Sequence, residues 1–193
     1  MRLAFPTCGP RPRNAAATRA SILEAAQSRF SRESYDDVGM RDIAGDAGVD
    51  PALIVRYFGS KEGLFRAALD HCHEGSTLLE GDRATFGTRI AHEIVYGTKS
   101  PKKMQGLQII LRSASSAKAM EVIQQQSCEQ FMNPLTAWIG GDHGAVSARM
   151  AAALMMGMTV SKEITGGLAL SEAECRSLEQ RLARILQDII DGA

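Results

Sequence analysis

The segment from Val38 to Lys61 constrains the fold more than any other part of this 193-residue chain. Ile43, Ala44 and Ala47 place apolar groups on one face of a first short helix. Gly48 follows them, and glycine readily adopts the left-handed backbone that ends a helix. The pattern therefore predicts a helix that ends in a tight turn.

A second short helix is predicted directly after this turn. Asp50 can cap it with its carboxylate, and Pro51 suits the first helical position, where no amide donor is needed. Ile54 and Phe58 lie four residues apart and can be buried together against the first helix. The other side chains are free to contact another molecule: Ala52, Leu53, Val55, Arg56 and Tyr57. This is the layout of a helix-turn-helix, whose second helix can enter the major groove of DNA.

The motif, V-G-M-R-D-I-A-G-D-A-G-V-D-P-A-L-I-V-R-Y-F-G-S-K, resembles the DNA-binding motif of the tetracycline-repressor (TetR) family of bacterial transcription regulators. The resemblance extends upstream through T-R-A-S-I-L-E-A-A-Q-S-R-F and S-Y-D-D-V, and downstream through Y-F-G-S-K-E-G-L-F-R-A-A-L. It covers about the first third of the chain. Two positions depart from the family pattern, which usually has Thr or Ser at Gly39 and often an aromatic residue at Val55.

The resemblance implies a set of DNA contacts. Tyr57 and Lys61 would contact the DNA backbone, while Leu53, Val55 and Arg56 would face base edges. Arginine can donate two hydrogen bonds to guanine, and aliphatic groups can touch the thymine methyl; the alternative for Arg56 is a solvated surface charge. Lys61 follows Ser60, a good cap for a fourth helix whose first amides can face a phosphate. The complete predicted DNA-binding set is Arg11, Arg13, Arg41, Asp50, Pro51, Ala52, Leu53, Val55, Arg56, Tyr57 and Lys61.

Positive charge is concentrated at the start of the chain, although the formal net charge is zero. No acidic residue precedes Glu24, whereas four arginines do: Arg2, Arg11, Arg13 and Arg19. Residues 1–13 are rich in Pro, Gly and Arg, which is typical of a disordered terminus. They are equally compatible with a basic arm lying in or near the minor groove. Both interpretations remain open for Arg11 and Arg13.

The remainder of the sequence has a helical pattern throughout and predicts an all-α protein. Asn14 can cap a helix to about Ser31, a fourth helix runs from Ser60 to about His73, and more are expected near 84–97, 101–114, 116–139, 143–165 and 171–191. Pro134 should kink its helix or restart it with Asn133 as cap, and Asp142 can cap the next. The predicted organisation is a flexible arm (1–13), a three-helix DNA-binding domain (14–60) and a helical effector-binding and dimerisation domain (61–193).

The last two helices carry two kinds of stripe. Small or flexible residues recur along the first of them at Ala148, Ala152, Met155 and Thr159, which would allow close helix approach. The final helix opens with capping-box spacing at Ser171–Glu174. Its apolar stripe is wide enough to serve two surfaces: Leu178, Leu182, Ile185, Leu186, Ile189 and Ile190. These residues either pack within one subunit or, as the resemblance implies, join two subunits in a four-helix bundle.

The resemblance also implies a small-molecule cavity in the helical C-terminal domain. The candidates in this sequence are His92, Tyr96, Met104, Gln108, Phe131, Trp138 and Met155. Methionine and aromatic side chains can shape an adaptable pocket, and they equally fill ordinary cores. The sparse charge of these helices favours an apolar or aromatic effector.

Enzymatic and metal-binding patterns are missing from the sequence. The run His71–Glu74 is a poor metal site on a helix, because residues two apart point in different directions. His92 and Glu93 begin a zinc-protease template that needs histidine at position 96, where this chain has Tyr96. The four cysteines are scattered, which favours a reducing cytoplasm, and the longest apolar run is too short to span a bilayer. We therefore expect no cofactor and no catalysis. We expect a homodimeric regulator, most simply a repressor released from a palindromic operator by a small molecule; the alternatives are a ligand-independent or architectural DNA binder and a helical-bundle carrier or enzyme.

Overall fold

The structure, a computed structural model, describes residues 15–72, 77–98 and 100–192, and within these ranges it contains helices and no β-strand. The all-α prediction is confirmed. The α-helices in the described ranges are α1 (Ala15–Phe30), α2 (Met40–Ala47), α3 (Pro51–Phe58), α4 (Lys61–Cys72), α5 (Phe86–Tyr96), α6 (Pro101–Ser113), α7 (Ala117–Ser127), α8 (Asn133–Ile139), α9 (Gly144–Ile164) and α10 (Glu172–Asp191). Two short 3₁₀ turns, Thr77–Leu79 and Arg83–Thr85, precede α5, and a π-helical turn, Cys128–Met132, joins α7 to α8.

The chain forms two compact units. The first contains α1 to α4 together with Lys102–Ile123, which includes nearly all of α6 and the first half of α7. The second contains α5, the end of α7 and α8 to α10. The fourth helix therefore packs with the N-terminal helices, whereas the sequence-based division placed it after residue 60 in the second domain. The boundary at residue 60, between a DNA-binding domain and an effector-binding and dimerisation domain, stays a prediction.

The core of the first unit is built around three aromatic rings. Phe30 at the end of α1 and Phe65 on α4 meet edge to face at 4.9 Å, and Tyr35 contacts Phe65 in the same way at 5.0 Å. Edge-to-face pairs of this kind add stability beyond the area that they bury. The same core takes in Ile43 from α2 and Ile54 from α3, both with no exposed surface. The helices that carry the motif are thus anchored to α1 and α4.

Pro134 shapes the junction between α7 and α8. The predicted helix near 116–139 is present, but its hydrogen-bond pattern widens to a π-turn immediately before the proline. The Asn133 N–H donates to the carbonyl of Cys128, five residues earlier. A proline ring clashes with the carbonyl four residues back, and a wider turn relieves that clash. Asn133 is helical itself, so the expectation that it caps a restarted helix is wrong.

The cap predicted at Asp142 is also wrong. Gly140 and Gly141 both have positive φ, at 69° and 72°, and they prolong the turn after α8. As a result α9 begins at Gly144, and His143 occupies the cap position without a side-chain hydrogen bond. In contrast, the capping box at Ser171 and Glu174 is confirmed, with both reciprocal hydrogen bonds present.

The second unit depends on the close packing of α5 against α10. Its core includes the fully buried side chains of Phe86, Leu135, Leu186 and Ile190. Gly87 lets the two helices approach, because a Cβ atom there would lie 2.1 Å from the carbonyl oxygen of Ala183. The Gly87 N–H also donates to the side-chain oxygen of Gln187, at 3.0 Å.

Two cationic side chains cap helix ends in this unit. The Arg83 guanidinium donates to the carbonyls of Ile139 (2.6 Å) and Ile190 (2.8 Å), at the ends of α8 and α10. The Lys162 ammonium donates to the carbonyls of Ile94 (2.9 Å) and Val95 (3.0 Å), at the end of α5. Positive charge near a helix C-terminus is favourable, and these bonds use carbonyls that the helices leave unpaired.

The stripe of small residues on α9 faces inward. Ala148 is fully buried in the core of the second unit, and Ala152 is 8% exposed. Met155 packs against the same core, and Thr159 donates to the carbonyl of Met155. The close approach that these small residues allow is therefore used within the subunit. Of the two alternatives left open by the sequence, packing within one subunit applies to Ala148 and Ala152.

The close approach at Gly87 leads to a stability prediction. We expect Gly87→Ala to lower the free energy of unfolding by about 1–3 kcal/mol, since the added methyl group must push α5 away from α10. Gly45→Ala is the matched control, because Gly45 is also helical and a Cβ there meets nothing within 4 Å. That control should gain about 0.5–1 kcal/mol from helix propensity. Urea denaturation measures both changes, and equal stabilities for the two variants would contradict the packing described for Gly87.

Candidate nucleic-acid interface

The predicted helix-turn-helix is formed by α2, a three-residue turn and α3. Gly48 adopts the left-handed conformation (φ 63°, ψ 37°) and caps the end of α2. The Asp50 carboxylate accepts a hydrogen bond from the Ala52 N–H at 2.7 Å, and Pro51 occupies the first position of α3. The local predictions for Gly48, Asp50 and Pro51 are confirmed. Each end of the turn is therefore fixed by a residue suited to its backbone conformation.

Burial of one face holds α3 in place. Ile54 has no exposed surface, and Leu53, Tyr57 and Phe58 are half-buried against the same core. The Arg19 guanidinium of α1 lies 4.9 Å from the centre of the Phe58 ring, a cation–π distance. The predicted joint burial of Ile54 and Phe58 is complete for the first residue and partial for the second.

The outward face of α3 is a row of exposed side chains. It consists of Pro51, Ala52, Val55 and Arg56, with Val55 55% exposed. An aliphatic group and a guanidinium thus stand side by side on a helix whose other face is buried. Leu53 and Tyr57 are less available than the sequence suggested, because they pack partly against the core.

Lys61 begins α4, whose first turn is capped as predicted. The Ser60 hydroxyl accepts a hydrogen bond from the Gly63 N–H at 3.1 Å. The Lys61 ammonium lies 4.4 Å from the centre of the Tyr35 ring. Desolvation lowers the pKa of Lys61, and the nearby carboxylates of Asp36 and Glu62 partly offset this effect. This contact between Lys61 and Tyr35 was not predicted from the sequence.

An ion pair between α1 and α2 was not foreseen from the sequence. The Arg29 guanidinium donates to both carboxylate oxygens of Asp46, at 2.5 Å and 3.0 Å. The hydrogen bond from Arg29 lowers the pKa of Asp46. The residues are 17 apart, and no local spacing rule connects two such positions. The pair lies on the protein surface, where it links α2 to α1.

The remaining predicted DNA-binding residues differ in position. Arg41 is exposed on α2. Arg11 and Arg13 lie outside the described residues. The α2 N-cap residue, Gly39, makes no side-chain hydrogen bond, and a Cβ there would lie 2.5 Å from the Asp42 carboxylate. The carboxylate of Asp42 thus occupies the neighbourhood where a capping side chain would otherwise stand.

The predicted pocket residues fall into both units. Met104 is half-buried and Gln108 exposed, both on α6. His92 and Tyr96 lie on the surface of α5, where His92 Nδ1 is 2.9 Å from the Glu179 carboxylate and the two rings are 5.1 Å apart. Phe131, Trp138 and Met155 pack against the core of the second unit, with Trp138 5.1 Å from Phe86. The seven-residue pocket stays a prediction.

Two further properties of the described residues bear on other functions. They contain no group of three His, Cys, Asp or Glu side chains placed to hold a metal ion. None of the helices that they form combines the length and apolar character needed to cross a bilayer.

Comparison with known proteins agrees with this geometry. Residues 22–68 match the family described as bacterial regulatory proteins of the tetR family, and residues 84–190 match the tetracyclin repressor-like C-terminal domain. The second match alone spans more than half of the chain. The chain belongs to the TetR family.

A curated relative is similar to this TetR-family chain over a short stretch. The regulatory protein RaaS of Mycobacterium tuberculosis is 49% identical over 55 residues, which are 28% of this chain and 26% of that protein. The chain thus aligns with about a quarter of the length of this curated relative.

Solved structures share the fold of the TetR-family chain over most of its length. NalD of Pseudomonas aeruginosa, the secondary repressor of the MexAB-OprM multidrug efflux pump, has a TM-score of 0.70 at 19% identity. The superposition covers 89% of this chain and 97% of NalD. The multidrug binding protein EbrR, solved with ethidium, has a TM-score of 0.62 at 17% identity, covering 89% and 98% of the two chains. At these identities the comparison establishes the fold alone.

The cap of α3 leads to a test of how this TetR-type motif is stabilised. We expect Asp50→Ala to lower the free energy of unfolding by about 1 kcal/mol, because the Ala52 N–H loses its acceptor. Asp50→Ser is the control, since a serine hydroxyl can accept the same bond and should retain most of the stability. Chemical denaturation measures both variants. Identical losses for alanine and serine would show that the cap is not the reason for the effect.

Proposed function

We propose that this TetR-family protein is a homodimeric, sequence-specific DNA-binding regulator, a repressor whose affinity for its operator falls when a small molecule binds. The observation that carries the proposal is the exposed face of α3. An eight-residue helix is held by a buried isoleucine and a capping carboxylate, while Ala52, Val55 and Arg56 remain exposed on one side. A helix of this kind fits the major groove, where side chains can distinguish base pairs.

Arg56 and Val55 are the proposed base-reading residues. The guanidinium can donate two parallel hydrogen bonds to guanine, and the valine methyl groups can contact a thymine methyl. Lys61, Tyr57 and the basic residue Arg41 are proposed to contact phosphates, which set the register of the protein on the duplex without reading sequence. The Lys61 ammonium lies at the start of α4, in contact with the Tyr35 ring.

These roles predict different effects on DNA binding. Arg56→Ala should relax base preference at one position in each half-site, costing about 1–3 kcal/mol for the preferred base. Lys61→Ala should weaken binding about equally for all sequences and reduce the salt dependence of the affinity. Selection from random duplexes, followed by titrations at several salt concentrations, measures both. Arg112→Ala is the control, because Arg112 is an exposed arginine on α6, outside the motif.

The outcome of the selection decides the proposal. Enrichment of a palindromic site is expected, since two-fold symmetry of the protein is mirrored in its operator. Failure to enrich any sequence, or an Arg56→Ala variant with unchanged base preference, would contradict the proposed role of α3.

The dimer is proposed to form through α9 and α10. An apolar stripe follows α9 at Val146, Met150, Ala153 and Gly157, all of which are exposed, with spacings of four, three and four. On α10, Leu182, Leu186 and Ile190 are buried within the subunit, whereas Ile185 is 50% exposed on another side of the helix. Val146, Met150, Ile185 and Ile189 line one open groove between the two helices. An apolar surface of this kind supports association with a second copy.

The dimer proposal is tested by placing a charge in this groove. Met150→Asp should convert the dimer to monomer, because burying an unpaired carboxylate between subunits is strongly unfavourable. Leu111→Asp is a matched control, since Leu111 on α6 is 58% exposed and Met150 53% exposed. Sedimentation or light scattering measures the mass of each variant. A dimeric Met150→Asp protein would place the interface elsewhere.

Contacts within the first unit support a route by which an effector changes operator affinity. The Ser116 hydroxyl, in the turn between α6 and α7, donates to the Asp36 carboxylate at 3.0 Å, beside the start of the motif. Lys118 lies 3.8 Å from Glu62 of α4. A shift of α6 and α7 on ligand binding would therefore reach α4 and the motif directly. A ligand that binds better to the shifted conformation lowers operator affinity by linkage. An effector that stabilises the protein and leaves operator affinity unchanged would contradict this coupling.

A further inference from the structure

Arg89 on α5 is a charged side chain with unpartnered buried nitrogen atoms. Its Nε and Nη2 are shielded from solvent, and among the described residues neither has a hydrogen-bond partner. No other ionised side chain in the described ranges has this property. Buried polar atoms are almost always hydrogen-bonded, and the cost of leaving one unpaired is highest for a charged group. The position therefore calls for a physical explanation.

The acidic side chains close to Arg89 in sequence are placed elsewhere. Glu93 is one helical turn further along, the usual position for an ion pair on a helix. Its carboxylate lies instead beside Gly97, where a Cβ atom would be 2.9 Å from Glu93 Oε1. The Asp82 carboxylate accepts a hydrogen bond from the Ala84 N–H at 3.0 Å, and Glu80 is exposed. The guanidinium therefore has no carboxylate from these neighbours.

The turn at Gly81 lies against the guanidinium. A Cβ atom at Gly81 would be 3.3 Å from both Cζ and Nε of Arg89, and the φ angle of 93° disfavours any other residue. Glycine thus lets the turn stack on the face of the guanidinium, while the edge that carries Nε and Nη2 has no hydrogen-bond partner. The N–H groups on this edge point in parallel, a geometry that matches the two oxygen atoms of a carboxylate.

We propose that the Nε–Nη2 edge of Arg89 binds the carboxylate of a hydrophobic organic acid, and that such acids are the effector class of the regulator. This inference rests on the proposed function and specifies its ligand. The two nearest buried residues of α5, Phe86 three positions before Arg89 and Ile90 one position after it, belong to the apolar core of the second unit. The ligand therefore combines one carboxylate with an apolar or aromatic body. The sequence indicated the apolar character and gave no sign of the charge.

Binding requires the atoms that shield the two nitrogen atoms in this conformation to move. The apparent affinity is then the intrinsic affinity multiplied by the fraction of molecules in which the edge is open. Binding is favoured because Nε–H and Nη2–H, which have no acceptor in this conformation, each donate a charge-assisted hydrogen bond to one carboxylate oxygen.

Thermal unfolding of the full-length protein without DNA tests the proposal directly. The probes are benzoate and decanoate, with benzamide and decanamide as neutral partners of the same shape. We expect the carboxylates to raise the melting temperature and the amides to have little effect. If neither carboxylate stabilises the protein more than its amide, the proposal is overturned.

Substitution of Arg89 separates a binding role from a structural one. Arg89→Met should leave the melting temperature of the ligand-free protein unchanged or higher, because it removes two shielded N–H groups that have no acceptor. It should also weaken carboxylate binding about ten- to hundredfold. Arg89→Lys keeps the charge without the two-point geometry and should give an intermediate result. Arg112→Met, on the exposed surface of α6, should behave like wild type. A marked loss of ligand-free stability in Arg89→Met, or an unchanged response to carboxylates, would overturn the assignment.

Operator binding distinguishes this inference from the proposed function. Gel-shift titration of wild type and Arg89→Met on the selected site should give equal affinities without probe. The carboxylate should release only the wild-type protein. Operator binding that is intact in both proteins, with no carboxylate effect, refutes the anion site alone. If neither protein binds any operator, the proposed regulatory function is refuted, while the thermal measurements still test the carboxylate site at Arg89.

Discussion

The complete burial of Ile54 beneath α3 is the contact on which the proposed interface depends. An isolated helix of eight residues is too short to be stable in water, so its orientation must come from packing. Ile54 joins Ile43 and the ring cluster of Phe30, Tyr35 and Phe65, which fixes α3 to α1 and α4. The Asp50 cap then defines where the helix starts. Together these constraints present Val55 and Arg56 outward on a rigid support.

Three cationic side chains in the second unit show two uses of positive charge. Arg83 donates hydrogen bonds to carbonyls at the ends of α8 and α10, and Lys162 donates to carbonyls at the end of α5. Arg89 has no such role: two of its nitrogen atoms are shielded, and no described residue accepts a hydrogen bond from them. The first two stabilise the fold by satisfying groups that helices leave unpaired. The third is explained more simply by a partner from outside the chain, since a purely structural role would require an acceptor within it.

The last helix supplies both a core and a surface. Leu182, Leu186 and Ile190 recur every four residues and are buried, while Ile185 is half exposed beside the α9 stripe. On α9 Ala148, Ala151 and Ala152 face inward, where α9 packs within the subunit, whereas Val146, Met150 and Ala153 face outward. The apolar surface that extends along the two helices is the one proposed above to pair two subunits, and on α9 it consists of other residues than the stripe of small residues.

The sequence by itself determined the features that depend on a few consecutive residues: helix periodicity, the left-handed Gly48, and the caps at Asp50, Ser60 and Ser171. These follow from backbone conformation and nearby hydrogen bonds, so a short stretch is sufficient to predict them. The tertiary structure decided which face of α9 is buried, that Arg29 pairs with Asp46, that Lys61 meets Tyr35, and that Arg89 has no partner among the described residues. Each of these depends on which side chains distant helices bring together, and spacing along one helix carries no information about its neighbours.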